Sequence, residues 1–116
     1  MVTEKQQENE VRQWVLDAEG RSRKYLVETP LEYSLYLSKL TSAEVYLKLD
    51  LVQKTNSFKF RGAVSKIMSL TQEELDKGLV AASTGNFALA VGEAAKIRGR
   101  ELIIYVAENM RAKSLW

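Results

Sequence analysis

The sequence predicts an α/β fold, a partial doubly wound parallel sheet of three strands with flanking helices. From Val45 onward the pattern runs strand, helix, strand, helix, strand. The second and third strands, at 79–82 and 102–106, are wholly apolar, as strands buried on both faces are. The stretches between them carry apolar residues at helical spacing. Alternation of this kind implies right-handed crossovers and a sheet covered by helices on both faces.

The elements follow in order. Thr3 and Gln6 have the spacing of a capping box, and Val11, Trp14, Val15 and Ala18 form an apolar helical stripe that is read as core, with Gly20 as its stop. Arg21, Arg23 and Lys24 read as a solvated linker. Pro30, the single proline, marks a break before Leu31. Val45, Leu47 and Leu49 alternate with Tyr46, Lys48 and Asp50, which predicts a half-buried strand over 45–49. Phe60, Val64 and Ile67 predict a helix over 57–70. Thr71 and Glu74 form a second capping box, closed by Gly78. Asn86 opens a helix expected to run to about residue 98, before Gly99, and Glu108 and Asn109 resemble the start of another. Glycines 78, 85, 92 and 99 fall seven apart, but their neighbours share no repeat.

Composition excludes several function classes. The 116 residues argue for one folding unit, and seventeen basic against fifteen acidic residues leave a net charge of +2, too little for an electrostatic grip on nucleic acid. No apolar run approaches the roughly 18 residues of a membrane span, and the first residues are too polar for a secretory signal, so a cytoplasmic location is expected. With no Cys and no His, the sequence has no thiol nucleophile, no disulfide, no imidazole or thiolate metal ligand and no Ser-His pair, and no metal site is expected. Its chemistry must use Lys, Ser, Thr, Tyr, Asn, a carboxylate or a borrowed cofactor.

The patterns GxGxxG, GxxxxGK[ST] and GxSxG are absent. Two loops remain where open α/β sheets place ligands, at the carboxyl ends of strands. The first runs Thr55-Asn56-Ser57-Phe58-Lys59-Phe60-Arg61-Gly62-Ala63 and puts Lys59 near a helix start. The positive end of a helix disfavours a second cation, and a lysine held neutral is an amine nucleophile; the alternative is an ordinary solvated lysine. The second loop, Ser83-Thr84-Gly85-Asn86, offers hydroxyls and backbone N–H groups to a carboxylate or phosphate; the alternative is a plain helix cap on a tight turn. Asp50 reads as solvated or capping rather than catalytic.

Together the loops resemble those of the fold-type II pyridoxal-phosphate enzymes, the tryptophan synthase β-like family, and within it the threonine/serine dehydratases, or ammonia-lyases. Thr29-Pro30-Leu31-Glu32-Tyr33-Ser34 resembles an early loop of that family. The stretch from Lys48 to Ala63, with its core Ser57-Phe58-Lys59-Phe60-Arg61-Gly62-Ala63, resembles the cofactor-lysine motif, and Ser83-Thr84-Gly85-Asn86 the substrate-carboxylate loop. The resemblance runs from about residue 29 to 113. It divides the chain into an N-terminal helix and linker, 1–28, and the start of a pyridoxal-phosphate-binding catalytic region, 29–116.

The resemblance implies that Lys59 forms the Schiff base with pyridoxal 5'-phosphate and later takes the substrate α-proton. Phe58 packs beside the pyridine ring, and Asn86 hydrogen-bonds the cofactor's 3′ oxygen. Ser83, Thr84 and the backbone at Gly85 hold the substrate carboxylate. The implied reaction converts threonine or serine to a 2-oxo acid and ammonia, with the cofactor ring as electron sink. Asp50 stands where many members have Glu, Asn56 where Gly is usual, and Phe87 where His is frequent. Thr84 stands where racemases carry a serine as second base.

Members of the family are much longer, and their glycine-rich phosphate loop has no counterpart here, so the sequence reads as a partial, truncated or frameshifted form. Such a chain is expected to turn over substrate poorly by itself and to associate, as a homo-oligomer or through an open sheet edge. The other readings are a non-catalytic remnant that binds a partner chain, a serine or aspartate racemase relative, and a small unrelated α/β binding module.

Overall fold

The computed structural model describes residues 4–108. Helix α1 (Glu4–Ser22) leads through a 3-10 turn at Arg23–Tyr25 to strand β1 (Leu31–Tyr33). Helix α2 (Leu35–Thr41), strand β2 (Tyr46–Lys48) and a second 3-10 turn at Asp50–Val52 follow. Then come α3 (Lys59–Ser69), α4 (Gln72–Asp76), β3 (Leu79–Ala82), α5 (Asn86–Ile97) and β4 (Leu102–Tyr105).

Strands β3 and β4 are parallel, with Leu79 opposite Leu102 and Ala82 opposite Tyr105, joined by the α5 crossover as the alternation predicts. The helices expected at 57–70 and 86–98 are α3 and α5. Their spaced apolar residues build the core: Phe60, Ala63, Val64 and Ile67 interlock with Ala90, Val91, Ala94 and Ala95. The small alanines of α5 let the two helices approach closely, and Phe60 fills the space at 0% exposure. Thr71 and Glu74 form both halves of their capping box. Gly78, at φ +89°, turns the chain from α4 into β3, a conformation that favours glycine.

The three-strand parallel sheet needs correction. Strand β2 does not join β3 and β4; it pairs antiparallel with β1, Tyr33 opposite Tyr46, and those two rings meet edge to face at 5.4 Å. The physical reason lies in its pattern, since alternating residues suit an antiparallel ribbon while parallel strands read as continuous apolar runs. Among the described residues the pair β3 and β4 is also not covered on both faces. Helix α5 lies against one face, and Val80, Ile103 and Tyr105 on the other are at least 60% exposed. The Cα radius of gyration, 17.4 Å, exceeds the ~13 Å of a compact domain of about this length, as bare faces and a projecting α1 require.

Three further expectations fail at the N-terminus. Trp14 is not core but 63% exposed, with Val11 and Val15 beside it exposed as well. Only the end of α1 is anchored, where Ser22 is buried and Arg21 Nη2 donates to Ser65 Oγ of α3 at 3.2 Å. Gly20 does not stop the helix, which runs on to Ser22. Arg21, Arg23 and Lys24 are exposed, as expected, but lie in α1 and the 3-10 turn rather than in a linker, where Arg23 pairs with Glu19 and Lys24 lies over the Tyr25 ring. Among the described residues, no helix is long and apolar enough to cross a membrane. Thr3 of the first capping box and the helix expected from Asn109 lie outside the described residues.

Candidate functional site

The segment from Leu49 to Phe58 joins β2 to α3 and is shaped at three points. The buried Gln53 carboxamide accepts from Val27 N–H at 2.9 Å and donates to the Val27 carbonyl at 3.0 Å. Asn56 takes φ +52°, a left-handed conformation that asparagine tolerates better than most residues. Buried Ser57 accepts from the Lys59 N–H through Oγ at 3.1 Å, satisfying one of the open donors at the helix start.

Lys59 is therefore the first residue of α3. Its side chain is exposed, with Nζ 5.0 Å from the centre of the Phe58 ring, and that ring is itself 65% exposed. An amine beside an aromatic face is a cation–π pair while it stays charged. The same arrangement leaves the amine open to solvent.

The second loop extends the parallel ladder by one bond, Ser83 N–H to the Tyr105 carbonyl at 3.1 Å. Ser83 Oγ then accepts from Gly85 N–H at 3.4 Å. Gly85 precedes α5 without a side-chain cap, and its carbonyl accepts from Ala88 N–H at 2.9 Å. Thr84, Gly85 and Asn86 are exposed, so the first turn of a twelve-residue helix faces solvent with its positive end uncovered.

One open cleft of about 500 Å³ brings the two loops together. Lys48, Asp50, Leu51, Asn56, Ser57, Phe58, Arg61 and Asn86 line it. Of the residues singled out from the sequence, Phe58 and Asn86 share this lining; Lys59, Ser83, Thr84 and Gly85 do not contribute to it.

Part of the cleft's lining belongs to a network that sequence reasoning missed. Arg61 grips Asp50 with both prongs of its fork, Nε to Oδ2 at 2.6 Å and Nη2 to Oδ1 at 2.8 Å. Thr29 Oγ1 donates to Asp50 Oδ1 at 2.6 Å and accepts from Arg61 Nη2 at 3.0 Å. Lys48 Nζ donates to the Thr29 carbonyl. Asp50 is thus neither solvated nor a helix cap. It is buried, and the Arg61 guanidinium, aided by the Thr29 hydroxyl and against the effect of burial, holds its carboxyl down at about 2. Arg61 is correspondingly raised by Asp50. Arg61 and Thr29 both fall within the stretches that resemble the dehydratases, which was the one signal available for them.

Comparison with known proteins bears on these loops. The model of the family described as pyridoxal-phosphate dependent enzyme matches residues 23–116. The catabolic L-threonine dehydratase TdcB of Staphylococcus aureus is 44% identical over 94 residues, 80% of this chain and 27% of that protein. The serine racemase of Dictyostelium discoideum superposes with a TM-score of 0.77 at 38% identity, covering 84% of this chain and 32% of the racemase. The processed form of threonine deaminase isoform 2 from Solanum lycopersicum superposes with a TM-score of 0.74 at 32% identity, covering 89% of this chain and 29% of that one. The chain spans about a third or less of the length of each of these proteins.

Proposed function

The chain belongs to the pyridoxal-phosphate-dependent enzyme family, and from that premise we propose that it carries the lysine-bearing part of a threonine or serine ammonia-lyase site. The observation that carries the reading is the meeting of the two loops in one cleft. Phe58 and Asn86, 28 positions apart by their numbers, line it together, and Lys59 lies against the Phe58 ring.

The residues present fit the ring side of the cofactor: an exposed primary amine, an exposed aromatic face beside it and a carboxamide across the cleft. In this reading Lys59 would hold the cofactor through Nζ, Phe58 would pack beside its ring and Asn86 would hydrogen-bond its 3′ oxygen. Pyridoxal phosphate, when bound, supplies the electron sink for the carbanion that follows loss of the α-proton.

The remaining work falls to the chain's own groups. Lys59 Nζ takes the α-proton of the substrate. The Ser83 and Thr84 hydroxyls and the N–H groups of the first turn of α5 bind and orient the substrate carboxylate, where the helix end favours an anion. The net reaction turns threonine into 2-oxobutanoate and ammonia, or serine into pyruvate and ammonia, with the water lost from the β-carbon regained on release of ammonia. Of the cations in the cleft, Lys48 donates to the Thr29 carbonyl and Arg61 is held by Asp50.

Reductive labelling of the chain with pyridoxal phosphate and borohydride, followed by peptide mapping, tests the reading. Label should fall on Lys59 and vanish in Lys59→Ala; label spread over several lysines rejects it. Similarity to serine racemase favours a second reading, racemisation. A Thr84→Ser variant that gains D-serine formation supports it, while a keto-acid product favours the lyase.

A further inference from the structure

Successive helix residues point about 100° apart, so Lys59, Phe60 and Arg61 at the start of α3 face three different ways. Two of these directions are occupied. Phe60 is sealed in the core at 0% exposure. Arg61 is held by the two-pronged grip of Asp50, and both lean on the Thr29 hydroxyl. The first turn of α3 is thereby clamped from two sides. Neither clamp survives a rotation of the turn about its own axis, and the third direction is that of Lys59.

We propose that Arg61, through its pair with Asp50, is a positioning residue that sets the rotation of the first turn of α3 and so aims the Lys59 amine. This inference rests on the reading that Lys59 is the cofactor-bearing lysine.

The pair also closes a ring in the chain. Asp50 and Arg61 are eleven positions apart, and the segment between them holds the left-handed turn at Asn56 and the Ser57 hydroxyl that caps Lys59. With the pair broken, Gln53 still ties the middle of this segment to Val27 and Phe60 still anchors the helix. The fold therefore keeps two supports while the end that carries Lys59 loses one of its two constraints. A fork is needed for this, because a point charge at position 61 cannot match both carboxylate oxygens in one plane. Misplacement of a reacting group by a fraction of its own length costs rate without costing the fold.

The test uses the full chain as wild type, Arg61→Lys, Asp50→Asn and Asp50→Glu. One arm follows the rate of reductive labelling of Lys59 by pyridoxal phosphate. The other follows amide hydrogen exchange without cofactor, which does not depend on any activity. Thermal melts identify the variants that fold. In Arg61→Lys and Asp50→Asn, labelling of Lys59 should slow about tenfold or more while the other lysines label as before. Exchange should quicken across residues 50–62 and stay unchanged in α5. Asp50→Glu, which keeps the carboxylate, should restore both readouts.

Wild-type labelling rates and exchange in folded Arg61→Lys and Asp50→Asn would overturn the inference and leave the cofactor-lysine reading intact. Wild-type label on a lysine other than Lys59 would overturn that reading, and the inference with it. Failure of both variants to fold would assign the pair a structural role in place of a positioning one.

Discussion

The Gln53 side chain pairs with the Val27 backbone as a neighbouring strand would, accepting from its N–H at 2.9 Å and donating to its carbonyl at 3.0 Å. It does so at 1% exposure, 26 positions along the chain, and so pins the segment before β1 to the loop that leads to Lys59. Gln53→Leu keeps the bulk but leaves three backbone groups without their partner, the Val27 N–H and carbonyl and the Lys54 N–H. Each such orphan costs roughly 1–3 kcal/mol, so the variant should lose about 2–4 kcal/mol in urea unfolding. A loss below about 1 kcal/mol would mean that water replaces the carboxamide freely.

The Asp50–Arg61 pair makes stability depend on acid. The Asp50 carboxyl is lowered from an ordinary 3.8 to about 2 in the folded chain. A lowered acid contributes its stability above the unfolded value and surrenders it as pH falls through the folded one. The contribution should therefore be complete above about pH 4 and fade toward about pH 2. At about 1.4 kcal/mol per pH unit it amounts to about 2 kcal/mol at most, because Arg61 remains 34% exposed and partly screened. Urea midpoints across that range should fall more steeply for wild type than for Asp50→Asn. Parallel curves would show that the pair contributes nothing to acid stability.

At Asn56 the backbone φ is +52°, and the N–H donates to the Gln53 carbonyl at 2.7 Å. Glycine adopts this conformation without a Cβ penalty, so Asn56→Gly should melt within a few tenths of a kcal/mol of wild type, by roughly cancelling effects on the two states. Asn56→Val, branched at Cβ, should lose about 1–2 kcal/mol. Equal melting of the two variants would place the turn elsewhere.

Trp14 is 63% exposed on α1. Trp14→Ala should then change unfolding stability by less than about 0.5 kcal/mol, the usual range for a surface site. Burial of this ring in the core would instead cost roughly 3–5 kcal/mol on truncation, which thermal or urea unfolding separates easily.

The contrast between Trp14 and Phe60 shows what the pattern of residues carried. Both sit in apolar stripes at helical spacing, yet one is 63% and the other 0% exposed. Periodicity tells that a helix has an apolar side; it does not tell whether another element meets that side. For α3 the alanine-rich face of α5 does so, while on α1 Val11, Trp14 and Val15 stay exposed and only the end of the stripe, at Ala18, is half-buried. The strands behave alike. Their composition marked 79–82 and 102–106 as a parallel pair, while the partner of 46–48 depended on where Leu31–Tyr33 came to lie.

What the amino-acid sequence determined unaided was local: the Thr71–Glu74 capping box, the helices α3 and α5, a residue at Asn56 able to turn left-handed, and a lysine at a helix start beside Phe58. Each depends on residues within a few positions of one another, where backbone geometry dictates who can meet. The Asp50–Arg61 fork, the Thr29 hydroxyl that joins it and the Gln53–Val27 pairing span 11, 21 and 26 positions. They depend on segments that the pairing of β1 with β2 holds side by side. A charged or amide side chain carries no mark of its distant partner, so its burial, and the lowered carboxyl of Asp50, emerge only once the chain has folded.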